Sequence, residues 1–140
     1  MSRFEVEKTW VTKAGLTAVA TIIILGGKQH HRCGYVGVPA DSLLFKINYA
    51  SNKLAEISVH GGLTYSTQGH DIKNSYPIDS TDWFFGFDCA HCDDGIIELS
   101  EYDLKFYLNQ SPPKSLDFVV TECESLAEQL AKILSGDSHD

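Results

Sequence analysis

The order of hydrophobic and polar residues in the first forty positions is typical of β-strands. Residues 16–25 (LTAVATIIIL) form the longest apolar run and are rich in β-branched side chains, which favour a buried strand. Gly26 and Gly27 supply a tight connection, and residues 31–38 (HRCGYVGV) have the character of an antiparallel partner. The pattern therefore predicts a β-hairpin at the centre of an antiparallel sheet.

The hydrophobic period changes between residues 48 and 59 (NYASNKLAEISV). Ala50, Leu54 and Ile57 are spaced so that they fall on one face of a helix. The glycine pair at 61–62 is typical of residues that end helices. We therefore predict a middle helix of about three turns over residues 48–59.

The second half of the chain mixes shorter elements with polar connections. Residues 63–66 (LTYS) are expected to be a short strand, and residues 83–88 (WFFGFD) a strand whose aromatic rings belong to the core. The polar segment 67–82 is expected to be a loop. Residues 96–109 fit a strand or a helix equally well.

The last part of the chain carries the clearest helical pattern. Apolar residues recur after Ser115 at positions 119, 123, 126, 130, 133 and 134. We predict an amphipathic helix over residues 116–134 that packs on the sheet. Since strands, a helix, strands and a helix follow one another in this order, we expect one α+β domain over residues 1–140.

The charge is distributed unevenly, which narrows the possible ligands. The net charge is −8; residues 91–140 contain eleven acidic side chains and three Lys or Arg, whereas residues 1–90 contain eight of each. Without a broad basic field, we expect no nucleic acid polymer as a partner. A local basic cluster nevertheless suits a small anionic ligand; it comprises Lys28, His30, His31 and Arg32.

The apolar segments do not predict a membrane protein. The longest apolar run is shorter than the roughly 20 residues that a membrane-spanning helix needs. The first ten residues (MSRFEVEKTW) contain acidic side chains and lack the apolar core of a secretion signal. We therefore expect a cytoplasmic protein with no membrane partner, whose four cysteines are thiols or ligands rather than disulfides.

Two short blocks carry groups suited to phosphate or ribose. In residues 30–39 (HHRCGYVGVP), Arg32 can clamp an anion through its forked guanidinium beside His31, and glycines flanking Tyr35 and its neighbour allow close approach. Residues 60–66 (HGGLTYS) combine an imidazole with three hydroxyl groups, from His60, Thr64, Tyr65 and Ser66. The alternative interpretations are a hairpin strand with a basic start and a helix cap followed by an ordinary strand.

A third block, residues 86–94 (GFDCAHCDD), raises the question of a metal site. Cys89 and Cys92 have the spacing of half a zinc site, and Cys33 with one of the two histidines before it would complete the site only if the hairpin lies alongside. A redox pair would need a helix beginning at the second cysteine, where the sequence DDG favours a turn. We expect no essential metal and no cofactor.

We interpret the third block instead as the end of a strand that faces a ligand. Gly86 permits close approach, Phe87 offers apolar surface, and Asp88 is placed to accept hydrogen bonds from ligand hydroxyls. His91 adds a group that can hold or move a proton. We expect this histidine to share one anionic pocket, near the interface of a homo-oligomer, with His31, Arg32 and His60.

The three blocks also carry a resemblance. HRCGYVGVP, HGGLTYS and WFFGFDCAH, in this order and followed by a helix such as ECESLAEQL, resemble a family of small, mostly uncharacterised bacteriophage proteins. The resemblance covers residues 8–92 and 117–130. The family pattern has no second cysteine after DCAH, which counts against zinc, and it implies no activity. By size and context, the chain is also similar to phage inhibitors of bacterial immune signalling, which bind or cleave cyclic dinucleotides or cyclic ADP-ribose-like signals.

Three functional hypotheses follow. The first is a protein that sequesters such a nucleotide signal in the host cytoplasm; the second is a metal-independent phosphodiesterase in which His31, His60 and His91 share acid–base work. The third is a protein-binding inhibitor or a structural phage component, because the acidic C-terminal third suits a basic partner. The candidate ligand-binding residues are His31, Arg32, Tyr35, His60, Thr64, Tyr65, Ser66, Phe87, Asp88 and His91.

Overall fold

A computed structural model of the chain describes residues 2–68, 81–90, 95–98 and 112–136. Within these ranges, five strands form one sheet in the order β1-β2-β3-β5-β4, and every neighbouring pair is antiparallel. The one α-helix in the described part of the chain, α1, packs on the sheet. The elements are β1 (Ser2–Val11), β2 (Thr17–Leu25), β3 (Lys28–Val38), β4 (Tyr65–Gln68), β5 (Trp83–Asp88) and α1 (Leu116–Ser135).

This architecture confirms the predicted α+β class and the central hairpin. Strands β2 and β3 pair over most of their length, with Ala18 opposite Val36 and Leu25 opposite Lys28. The register shifts between Ile23 and Ile24, so β3 carries one extra residue there, as in a β-bulge. The described chain contains no helix long and apolar enough to cross a membrane.

Both faces of the sheet bury apolar side chains, and α1 covers one of them. The helix-covered face includes the rings of Phe85 and Phe87, which join the buried side chains of α1 in one cluster. The opposite face carries a second, smaller cluster. Because side chains alternate along a strand, consecutive residues of β3 belong to different clusters. The second cluster consists of Phe4, Val19, Ile23, Cys33, Tyr35 and Phe84.

Helix α1 has the ends and the apolar stripe that the sequence predicts. The Ser115 hydroxyl accepts a hydrogen bond from the Phe118 backbone N–H (3.1 Å), and Gly136 ends the helix in the left-handed conformation (φ 83°). The buried stripe is Val119, Cys123, Leu126, Ala127 and Leu130.

The helix lies very close to β3. A Cβ atom added to Gly34 would lie 2.5 Å from the Phe87 ring and 2.8 Å from the Cys123 sulfur. Only glycine fits there without displacing these neighbours. A second link joins α1 to the other end of the sheet, where Glu124 accepts hydrogen bonds from Trp10 Nε1 (2.8 Å) and from the Lys13 backbone N–H (3.0 Å).

The predicted middle helix over residues 48–59 is wrong. The structure has only one short 3₁₀ turn here, Asn52–Leu54, within a series of turns. Side chains compete for the backbone donors that a helix would use: Asn48 accepts from the Ala50 N–H (2.8 Å) and Ser51 from the Lys53 N–H (3.2 Å). Leu54 is buried in the core on the helix side of the sheet. This apolar residue therefore anchors a loop and does not belong to a helix face.

The remaining elements differ from the predictions mainly at their ends. The short strand predicted at 63–66 begins at Tyr65 and continues to Gln68, whereas the strand predicted at 83–88 has the predicted ends. Most of the segment 96–109 lies outside the described residues. Its first residues run beside β3, where the N–H of Ile97 donates to the His30 carbonyl (2.9 Å).

Candidate functional site

Residues from all three sequence blocks meet at one cavity. The cavity has a volume of about 150 Å³, is open to solvent on one side, and lies where the end of β5 meets β3 and the start of β4. Each block contributes two of its lining residues. Among the described residues, the lining consists of Cys33, Tyr35, Thr64, Tyr65, Phe87 and Asp88.

Strand register places the two tyrosines side by side. Tyr35 of β3 and Tyr65 of β4 both pair with Gly86 of β5, from opposite sides. Their rings are 6.0 Å apart between centroids and nearly perpendicular (73°). A Cβ atom on Gly86 would lie 2.6 Å from the Tyr35 ring, so this glycine leaves the space that the ring occupies.

The carboxylate of Asp88 is held at the mouth of the cavity. Its Oδ1 accepts a hydrogen bond from the Ala90 backbone N–H (3.0 Å), and its Oδ2 accepts one from the Thr64 hydroxyl (3.3 Å). Thr64 is itself anchored, because its N–H donates to the Gly86 carbonyl (2.9 Å). Both oxygens are therefore oriented before any ligand arrives.

The tyrosine at the base of the cavity is uncharged. Tyr35 is 2% exposed, and burial raises the pKa of its phenol far above the usual value. Half-buried Asp88 is thus the acidic group that a ligand meets in this lining. The described lining combines the two tyrosine side chains with the carboxylate of Asp88 and the hydroxyl group of Thr64.

Arg32 lies on the other side of the sheet. Its neighbours Cys33 and Tyr35 belong to the second cluster, whereas its guanidinium contacts Glu7 of β1 (Nε to Oε1 2.7 Å, Nη2 to Oε2 3.3 Å). A further hydrogen bond joins Nη1 to the Lys114 carbonyl (3.0 Å). Arg32 therefore ties β1 and β3 to the segment that leads into α1.

His60 and Ser66 also lie away from the cavity lining. The backbone N–H of His60 donates to Glu122 Oε1 (2.8 Å), and its ring meets the Phe118 ring edge-on at 5.0 Å, so His60 packs against α1. The Ser66 hydroxyl accepts a hydrogen bond from the Tyr49 backbone N–H (3.1 Å). Because the middle helix is absent, His60 does not follow a helix end.

His31 lies near the start of β3, at the bulge. Its Nδ1 is 2.8 Å from Nδ1 of His30, with the two rings nearly perpendicular. None of His31, Arg32 and His60 lines the cavity: His31 contacts His30, whereas Arg32 and His60 contact α1 or the segment that leads into it. The expected fourth member, His91, lies outside the described residues.

The cysteines do not support the proposed completion of a zinc site. Cys33 belongs to the cavity face, whereas Cys89 is buried in the core beneath α1, so the two side chains point to opposite sides of the sheet. Cys92 lies outside the described residues. The described residues contain no group of three or more His, Cys, Asp or Glu that could hold a metal ion.

Sequence reasoning overlooked two features of the site. The sequence suggests only a metal-ligand role for Cys33, yet this residue lines the cavity. Its position two residues before Tyr35 in one strand indicates that the two side chains share a face of the sheet. The hydrogen bond that fixes Asp88 through Thr64 could not be read from the sequence, because it depends on how β4 and β5 pair.

Comparisons with protein-family models, with curated proteins and with solved structures find no match for this chain.

Proposed function

We propose that the chain is a phage protein that binds and sequesters a small cyclic nucleotide or cyclic ADP-ribose-like immune signal in the cytoplasm of the host. The observation that carries this proposal is the meeting of all three blocks at one cavity, with two residues from each. Blocks far apart in the chain supply two tyrosine side chains, a threonine hydroxyl and an oriented carboxylate, polar and aromatic groups that suit a nucleoside.

The cavity suits the nucleoside part of the ligand and not its phosphates. None of the six described lining residues carries a positive charge, and Asp88 would repel a phosphate. The phosphates would lie outside, where a second copy of the chain in a homo-oligomer can contact them. This differs from the anion clamp expected at Arg32, whose guanidinium contacts Glu7 and the Lys114 carbonyl.

The lining favours binding over cleavage. Among the residues that the structure describes, this lining has one carboxylate and no imidazole, whereas a metal-independent phosphodiesterase needs a paired acid and base. His31 and His60, two of the three histidines considered for that role, lie at separate sites. Sequestration requires only that the ligand be held.

Isothermal titration against cyclic dinucleotides and cyclic ADP-ribose isomers tests the proposal. We expect at least one of them to bind, and Tyr65→Ala to weaken that binding about tenfold or more, because the change removes a cavity wall. Tyr49→Ala is the matched control, since Tyr49 is exposed and does not line the cavity.

The same experiment separates sequestration from cleavage. Ligand recovered after the protein is denatured should be chemically intact by chromatography and mass spectrometry. A cleaved product would replace the binding proposal with the phosphodiesterase. If no nucleotide of the panel binds, the proposed function is wrong.

A further inference from the structure

We propose that His30 and His31 form a binding site for a divalent transition-metal ion, with Cu²⁺ as the preferred ion and Nδ1 of each ring as a ligand. The site is separate from the cavity, whose described lining includes neither histidine, and it does not depend on the proposed function. Three properties of the pair support the site: the bulge that brings the side chains together, the distance between their ring nitrogens, and the backbone that holds them.

A β-bulge brings two consecutive side chains to one place. Side chains of neighbouring residues normally point to opposite faces of a sheet. Here Ile23 pairs with His31 and Ile24 pairs with Gln29, so His30 is the extra residue. Its ring meets the ring of His31, with 5.0 Å between the centroids and an angle of 83° between the planes. The bulge therefore places two imidazoles side by side, which regular alternation would not allow.

The distance between the two ring nitrogens suits two ligands of one ion. Nδ1 of His30 lies 2.8 Å from Nδ1 of His31. Two nitrogens that each lie about 2.0 Å from a metal ion are about 2.8 Å apart at a right angle and about 3.3 Å apart at a tetrahedral angle. Neighbouring ligands meet at a right angle in the square-planar sites of Cu²⁺ and Ni²⁺. Both ions accept imidazole ligands, and Cu²⁺ binds most tightly among the first-row divalent ions.

The ion would replace the hydrogen bond between the two rings. In the structure, one Nδ1 donates its proton to the other. On metal binding, that proton passes through solvent to Nε2 of the same ring, so that both rings stay neutral and both Nδ1 lone pairs reach the ion. Each ring turns about χ2, which is a soft torsion in histidine. Both residues are half-buried, so water can fill the remaining coordination positions.

The backbone at the bulge is held from both sides. On one side, His31 pairs with Ile23 of β2. On the other side, the N–H of Ile97 donates to the His30 carbonyl (2.9 Å). Because both ligands are positioned before the ion arrives, binding costs less conformational entropy than it would in a flexible segment.

The basic residues nearby do not oppose a cation. Arg32 follows His31 in the strand and points to the opposite face, where Glu7 neutralises it at 2.7 Å. Lys28 lies at the exposed end of the hairpin, where water and salt screen its charge. The net charge of −8 adds a general attraction for cations.

Metal titration of the tag-free full chain tests the inference. Calorimetry measures binding of Ni²⁺, which does not oxidise thiols, and electron paramagnetic resonance follows Cu²⁺. We expect a square-planar Cu²⁺ spectrum with hyperfine splitting from two nitrogens. His30→Ala and His31→Ala should each weaken Ni²⁺ binding about tenfold or more, because either change breaks the chelate. His60→Ala is the matched control and should keep the wild-type affinity, since His60 packs against the Phe118 ring.

Two results would overturn the inference. One is wild-type Ni²⁺ affinity in either single variant, because both rings must be ligands. The other is a wild-type chain that binds neither Ni²⁺ nor Cu²⁺. Thermal melting shows whether each variant folds. Where an alanine variant does not fold, His30→Gln or His31→Gln takes its place, since glutamine keeps a polar side chain of similar size.

Discussion

At the scale of single residues, two glycines allow the sheet to serve both its faces. Gly34 leaves room for Cys123 and the Phe87 ring on the helix side, and Gly86 leaves room for the Tyr35 ring on the cavity side. Each lies in a strand interior, where glycine is ordinarily unfavourable. The close packing of their neighbours accounts for both.

We predict that Gly34→Ala lowers the free energy of unfolding by about 1–3 kcal/mol, as overpacking of a well-packed core does. The added methyl group would meet the Phe87 ring at 2.5 Å and the Cys123 sulfur at 2.8 Å. Urea unfolding followed by circular dichroism measures the change. An unaltered midpoint would mean that α1 does not approach β3 as closely as described.

At the scale of elements, α1 is secured by more than its apolar stripe. Glu124 projects from the helix to the β1–β2 turn and accepts hydrogen bonds from Trp10 Nε1 and the Lys13 N–H. The hydrogen bond from the Lys13 N–H, followed by that from the indole, lowers the pKa of the Glu124 carboxyl below its ordinary value of 4.5. The ionised form is therefore the one that links the elements.

This link predicts how stability depends on pH. Because the pKa of Glu124 is lower in the folded chain than in the unfolded chain, its contribution is present above pH 4.5 and is lost as the pH falls through the folded pKa. Wild type should therefore be more stable than Glu124→Gln at neutral pH, and the two unfolding curves should converge in acid. A difference that persists at the lowest pH would contradict the assignment.

At the scale of the whole molecule, Arg32 connects parts that are far apart in the chain. It bridges Glu7 in β1 and the Lys114 carbonyl just before α1, from a position in the central strand β3. The side chains of Arg32 and Glu7 are only 17% and 23% exposed, so water screens this pair incompletely. This contact holds the segment that leads into α1 against the sheet.

Arg32→Ala should therefore act on folding and not on ligand affinity. We expect a loss of about 1.5–3 kcal/mol in the free energy of unfolding, the range for hydrogen bonds to charged groups. Nucleotide affinity at a temperature where the variant is folded should match that of wild type. Weakened binding by a fully folded variant would place Arg32 back in the ligand site.

The fold was largely predictable because its main elements have local signals. Two elements follow from the hydrophobic pattern and from the residues at their ends: the hairpin over 16–25 and 31–38, and the helix over 116–134. The helix over 48–59 failed because side-chain hydrogen bonds and the anchoring of Leu54 in the core override a similar spacing. Periodicity alone does not distinguish a helix face from a loop with one buried anchor.

The site was predictable in part. The three blocks were recognised as chemically interesting, and the structure brings part of each to one cavity. Grouping Arg32 with Tyr35 was the error, because residues three apart in a strand point to opposite faces. The pairing of Thr64 with Asp88 depends on a contact between β4 and β5 that no local pattern encodes.

The alternation along β3 has a consequence for how such a protein can diversify. Cys33 and Tyr35 shape the cavity, while Gly34 and Val36 between them serve the packing of α1. Residues that line the cavity therefore alternate along β3 with residues that pack against α1. Substitutions at Cys33 or Tyr35 can therefore reshape the cavity while the residues that pack against α1 stay the same.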